Sequence, residues 1–352
     1  MPAILHLPAD SLSSFYDAIQ TAREFLRQDA EEPLKKDTVA QKSHLWFRGQ
    51  GKSGHNPWKK YTLSPNILRG TYISSDFLRL HLKEDYRFQH FPARSYHIIK
   101  SKPDNNIEWQ EIMQHHMLKT RLIDWSEKPT VALLFALLPF IDTQSAAKRP
   151  QADPVVWMLN PARLNDKVYT ALRDRTLIEE ALSDMNYNVR DRKKVASAIY
   201  NRMANKESYL EDADYMMSNI ISLSRLENMR ALVGERMPNL LKNNQVNPFY
   251  YLLLRVYSDG IQTDKEIPPL AMIHPSHSER IAMQQGAFTI FPFPSRMQNH
   301  RAMEQIPECA ECICEIYLTN PSRIAVEMIE QGFTITDLYP ELENYARVIE
   351  GT

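Results

Sequence analysis

"HLWFRGQG", residues 44–51, joins two kinds of chemistry in one short stretch. Leu45, Trp46 and Phe47 have the apolar and aromatic character of a buried strand. The same run then continues into Arg48, Gly49 and Gln50. Arginine is always charged and presents a planar fork of donors suited to phosphate or carboxylate. A glycine beside it lets a backbone or a ligand approach closely. Arg48 is therefore either one half of a structural ion pair at a strand end or a ligand-binding group.

Outward from this strand, the chain reads as an ordinary globular protein. It has 352 residues, 43% hydrophobic content and a formal net charge of −1. That length buries a sizeable core, and the near-zero charge provides no bulk field for nucleic acid or an anionic membrane. The basic loop "KSGHNPWKK", 52–60, is the one local patch for phosphate, against a plain solvated loop. The longest apolar run, "VALLFALLPF" at 131–140, is too short to span a bilayer and reads as a core helix. The N-terminus lacks the pattern of a signal peptide, so a cytoplasmic location without membrane attachment is expected. Cys309, Cys312 and Cys314 do not complete a zinc site, and the alternation of Cys312 and Cys314 in "CICEIYL" reads as one face of a strand. No metal and no obligatory cofactor is expected.

Periodicity predicts helices over 11–28, 73–92, 106–117, 130–140, 322–331 and 341–349. Strands are expected at "WFRGQ", "PVVWMLNP", "LAMIHP", "GAFTIFPF" and "CICEIYL". Residues 164–256 are mostly helical, charged and poor in glycine. The expected fold class is α+β, a small split or mixed sheet covered by many helices. Residues 1–163 and 257–352 form the α+β domain on this reading, with 164–256 as a helical insertion or a helical layer of the same domain.

Two further segments set polar groups in apolar surroundings. In "QHHMLKTRLIDWS", 114–126, a helix end carries His115 and is followed by Thr120, Arg121, Asp124 and Trp125. Arg121 and Asp124 either pair with each other or position a ligand, with Trp125 as a stacking face. His115 stands four residues after Glu111 on one helix face, without a third ligand for a metal. In "SERIAMQQGAFTIFPF", 278–293, Gln284 either bonds a ligand edge or serves a strand-entry turn, with Phe288 in the strand that follows. The "EDADY" run at 211–215 is a nominal carboxylate pair, more in keeping with a solvated helix face. No nucleophile elbow, Walker loop, dinucleotide fingerprint or HExxH helix occurs, which removes the commonest hydrolase, NTPase and zinc-protease classes.

Taken in order, "LWFRGQ", "YTLSPNILRG", "QHHMLKTRLIDWSEKPTVALLFA", "VVWMLNPARLN", "ERIAMQQGAFTIF" and "ITDLYPELENYAR" resemble the FRG domain, a bacterial and phage-associated family. The resemblance implies a toxin-associated or anti-phage defence setting. A weaker similarity is to ADP-ribosyltransferases that open a split sheet with an aromatic-Arg-Gly strand. It implies an ADP-ribosyltransferase-like fold, NAD as substrate and a protein or nucleic-acid acceptor. On that footing Arg48, Arg121 and Asp124 form the catalytic set, with Phe47, Gly49, Gln50, His115, Thr120, Trp125, Gln284 and Phe288 around the ligand. Gly286 stands where those transferases carry a glutamate, so Glu279 or Asp124 supplies the acid or the chemistry is lost. The alternative is a non-enzymatic sensor or partner-binding module whose Arg/Asp network is structural.

Overall fold

The computed structural model describes residues 4–27, 45–51, 62–69, 77–99, 103, 106–141, 154–183, 188–205, 248–259, 265–273, 279–292 and 301–350. The basic loop 52–60, the run 211–215 and much of the charged block before residue 248 lie outside them.

Seven strands form one mixed sheet: β1 (Leu5–Ala9), β2 (Trp46–Gln50), β3 (Leu122–Ser126), β4 (Val155–Leu159), β5 (Leu270–Met272), β6 (Gly286–Ile290) and β7 (Ile313–Leu318). Their order across the sheet is β1-β7-β4-β2-β3-β6-β5. β1 pairs with β7 in parallel, and every other neighbouring pair is antiparallel. The α+β class is as expected, while the sheet is larger than the small one anticipated. Two strands, β1 and β3, are additions to the five expected: "LHLPA" is short and only half-buried, so its apolar alternation is faint, and "LIDWS" carries the exposed Asp124 at its centre.

The described helices are α1 (Leu12–Arg27), α2 (Phe77–Ser95), α3 (Asn106–His115), α4 (Pro129–Ile141), α5 (Pro161–Leu172), α6 (Arg175–Ala181), α7 (Val189–Ala204), α8 (Pro248–Leu254), α9 (Glu279–Gln284), α10 (Pro307–Ala310), α11 (Pro321–Glu330) and α12 (Leu342–Glu350). Local chemistry explains their starts. Asn160 and Asn320 each accept a bond from the backbone N–H three residues on, and Pro161 and Pro321 then open α5 and α11. Side-chain caps and a first-turn proline are the favoured N-terminal solution. α4 is apolar on nearly every side because it is buried on several sides.

Three cores result. On one face, Phe47, Val156, Met158, Ile316 and Leu318 pack against α1, α4 and α11. Farther along the same face by register, Leu122, Phe288, Ile290, Leu270 and Met272 pack against α5, α6, α7 and α8. The opposite face buries Trp46, Trp157, Ile123, Trp125 and Ala287 with Leu63, Leu68, Leu80 and Met303. The Asn165 side chain of α5 both donates to and accepts from the Ala271 backbone, so it covers the edge at β5.

The cysteines are free and buried. Cys312 lies just before β7 in the core that holds Cys309, and Cys314 lies in the core of the other face. The alternation read from "CICEIYL" therefore starts one residue later than expected, at Ile313. Burial pushes the Cys312 and Cys314 thiols up to about 12, far from a reactive thiolate. No described helix is long and apolar enough to cross a membrane.

Candidate functional site

Arg48 sits where the sheet is weakest. β2 keeps register with β4 along its whole length, but meets β3 at one pair, Phe47 with Ser126. Beyond that pair the Arg48 guanidinium does the joining. Its Nη1 donates to the Asp124 carbonyl oxygen at 2.6 Å and stands 3.8 Å from Asp124 Oδ2. Its Nε is buried and has no hydrogen-bond partner among the described residues. Burial lowers the Arg48 pKa from its ordinary value, Asp124 opposes this, and Arg69 adds to it. Arginine starts so high that the group remains a cation.

Asp124 is the exposed residue in the middle of an otherwise buried strand. Its Oδ1 accepts from Gln114 Nε2, and Gln114 Oε1 accepts from Thr120 Oγ1. The chain Thr120–Gln114–Asp124–Arg48 thus ties α3 to both central strands. A side chain fixed at both ends is pre-organised for whatever lies beside it.

Arg48, Gln114 and Asp124 line a cleft of about 310 Å³. α4 supplies the apolar wall of Val131, Ala132 and Phe135. α3 supplies Glu111, Gln114 and His115, and α9 supplies Arg280, Ile281 and Gln284. Of the residues singled out from sequence, Phe47, Arg48, Gly49, His115, Asp124, Trp125, Gln284 and Phe288 line this cleft. Gln50, Thr120 and Arg121 do not line it.

Several of those side chains are committed to the fold. Arg121 is 2% exposed; its Nε donates to both oxygens of Glu84 on α2, at 3.0 and 3.2 Å, and its Nη1 donates to the Phe291 carbonyl at 2.6 Å. Its charge partner is Glu84, not Asp124. Burial raises the Glu84 pKa, with Arg121 opposing. Gln50 is buried and accepts from Trp157 Nε1 at 3.0 Å. The Trp125 indole packs in the core of the opposite face and donates to Thr289 Oγ1 at 3.1 Å, so it offers no free stacking face. Gln284 lines the cleft, yet its Nε2 already donates to the Leu338 carbonyl at 2.8 Å. Gly49 serves a backbone rather than a ligand, because a Cβ there would lie 1.7 Å from the Ala132 carbonyl oxygen of α4.

Residues 43–143 match the family model of the FRG domain. The chain carries an FRG domain. No curated protein and no solved structure matches it. Within the FRG domain lie β2, α2, α3, β3 and α4, and so Arg48, Glu111, Gln114, His115 and Asp124. The match stops at residue 143, so α9 and β6 close the cleft from outside the FRG span.

The remaining features were not assigned from sequence. Glu111 is a 3% exposed carboxylate in the cleft wall, one turn before His115. The Glu111–His115 spacing was visible, but only as an incomplete metal pair. Arg280 also faces the cleft, its guanidinium 4.3 Å from the centre of the Tyr339 ring. Burial, then Arg280 and His116, lower the His115 pKa, while Glu341 and Glu111 pull it upward. The net direction keeps the imidazole neutral at pH 7.

Met117 closes α3 of the FRG domain in a left-handed conformation, φ 65°. The N–H of Met117 bonds the Gln114 carbonyl and that of Leu118 bonds the Met113 carbonyl, the pairing of a Schellman cap that normally uses glycine. Its side chain lines the cleft, yet the residue is 91% exposed. Strain of this kind collects at ligand sites. Met117→Gly is expected to raise unfolding stability by about 1 kcal/mol, read as a higher denaturant midpoint at constant slope.

Proposed function

We propose that the Arg48 cleft is a nucleotide site and that the protein is an ADP-ribosyltransferase-like enzyme using NAD as substrate. Arg48 holds the ligand's phosphate or ribose, and the ADP-ribose passes to a protein or nucleic-acid acceptor. The C1′–N bond to nicotinamide breaks with its electron pair leaving on the ring. The acceptor's nucleophile bonds C1′ and gives up its proton.

One observation carries this reading. Arg48 Nε is a buried donor in a cleft wall with no acceptor among the described residues. Leaving such a donor unmet costs about 1–3 kcal/mol, which an incoming anion offsets. Phe47, Phe135, Ile281 and Phe288 beside it suit the apolar body of a nucleotide. The setting as a toxin or anti-phage effector rests on the FRG resemblance alone.

A second reading, a non-enzymatic sensor, draws on the commitment of Arg121, Trp125 and Gln284 to the fold, which leaves fewer groups for chemistry. One experiment separates them: incubate the protein with NAD labelled on the adenylate and with mixed protein and nucleic-acid acceptors. The transferase reading expects nicotinamide release and label transfer, falling about 100-fold or more in Arg48→Ala. Neither release nor transfer, with NAD still bound, favours the sensor.

A further inference from the structure

We propose that the outer face of α2, running to the mouth of the cleft, is a binding surface for single-stranded RNA. The proposal goes beyond the nucleotide reading and does not depend on it. With a net charge of −1 the chain has no bulk field for a polyanion, so such a surface must be local. On α2, Lys83, Tyr86, Arg87, His90 and Arg94 recur at spacings of three and four, which puts them in one row. All of them are exposed or half-buried. Glu84 is turned inward to Arg121, and Asp85, the one exposed carboxylate of α2, falls outside the spacing of the row. The exposed Lys119 extends the row beyond α3, where its carbonyl accepts from Arg87 Nη1 at 2.6 Å. Lys83, Arg94 and Lys119 take part in no ion pair among the described residues.

Rings are interleaved with these charges. Tyr86, 58% exposed, lies against His90 with ring centres 4.0 Å apart. A second series leads to the cleft: Phe91 is 6.3 Å from His116, and His116 is 5.2 Å from His115, which lines the cleft. Cations alone suit any polyanion, but rings set between them suit the unstacked bases of a single strand. A duplex keeps its bases within its own stack, and a membrane-binding helix needs a continuous apolar face, whereas this row is charged along its length. The ribose favours RNA over DNA. Lysine and arginine only donate, while the imidazoles of His90 and His116 and the Tyr86 phenol also accept, as a 2′-hydroxyl donor requires. From Lys83 to Arg94 the row is about 16 Å long, room for about four stacked nucleotides.

Fluorescence anisotropy of a labelled dodecamer RNA of mixed adenine and cytosine, titrated with the full chain, tests the surface. Binding is expected to weaken roughly 20-fold between about 50 and about 200 mM salt, the effect of neutralising about three phosphates. The DNA strand of the same sequence should bind at least about threefold more weakly, and the RNA in duplex form more weakly than the single strand. Tyr86→Ala should lose at least about fivefold in affinity, while Tyr86→Phe keeps most of it. Lys83→Ala and Arg94→Ala together should lower the logarithmic salt slope by about 1.4. No RNA binding at submillimolar protein in low salt overturns the proposal, as does wild-type affinity and salt slope in the folded variants. Equal affinity for the DNA strand overturns the assignment to RNA. Tighter binding to phosphatidylserine-containing phosphatidylcholine vesicles, or to an oligoglutamate peptide, overturns the assignment to nucleic acid. None of the substituted residues lines the cleft, so failure of this surface leaves the nucleotide reading standing.

Discussion

Gly49→Ala should lose more than about 3 kcal/mol of folding stability, the upper end of overpacking effects. The added methyl would stand 1.7 Å from the Ala132 carbonyl oxygen and 2.7 Å from the Ala136 nitrogen. Both obstacles are helix backbone, which cannot swing aside as a side chain does. β2 and α4 would have to separate, opening the core built on Phe47, Leu133 and Val156. Domains are typically stable by only about 5–15 kcal/mol, so the loss is a large share of the total. Gly51→Ala is the control, because its nearest obstacle is the Pro139 ring at 3.1 Å. Urea unfolding followed by circular dichroism reads both variants. A Gly49→Ala protein with a wild-type midpoint would mean that the glycine is there for a ligand after all.

Arg121→Ala should cost about 3–5 kcal/mol, the range for stripping one partner from a buried pair. The variant leaves the Glu84 carboxylate in the interior without its cation and the Phe291 carbonyl without its donor. Replacing Arg121 and Glu84 together by Met and Leu should recover much of the loss, since no charge is then buried. Thermal melts of the single and double variants decide it. Wild-type stability in Arg121→Ala would return Arg121 to the functional set.

These two residues show what the sequence can and cannot resolve. β3, "LIDWS", was not picked out as a strand because the exposed Asp124 interrupts it, whereas β4, "VVWML", buried throughout, and the aromatic β2 were legible. β1 was not, since His6 and Pro8 interrupt its apolar pattern and its partner β7 lies some 300 residues away in sequence. The cleft residues on "WFRG", "HHMLKTRLIDW" and "QQGAF" were found as segments, but not their individual roles. Arg48 and Arg121 look alike in sequence, each beside an apolar strand. What separates them is tertiary: Arg48 falls where β2 and β3 part, while Arg121 points into the interior at Glu84 of α2. Gly49 was open between a backbone and a ligand, and only the position of α4 decides for the backbone.

The central claim is that Arg48 holds a ligand whereas Arg121 holds the fold. Thermal unfolding of wild type, Arg48→Ala and Arg121→Ala, each with and without NAD, tests it most directly. Arg48→Ala gives up a carbonyl hydrogen bond and a partly exposed charge contact, about 1 kcal/mol. Its melting point without NAD should therefore stay close to wild type. NAD at 100 times its Kd should stabilise the wild type by about 2.7 kcal/mol and leave Arg48→Ala unmoved. An Arg48→Ala protein that melts as early as Arg121→Ala, or that NAD still stabilises to the wild-type extent, would contradict the account.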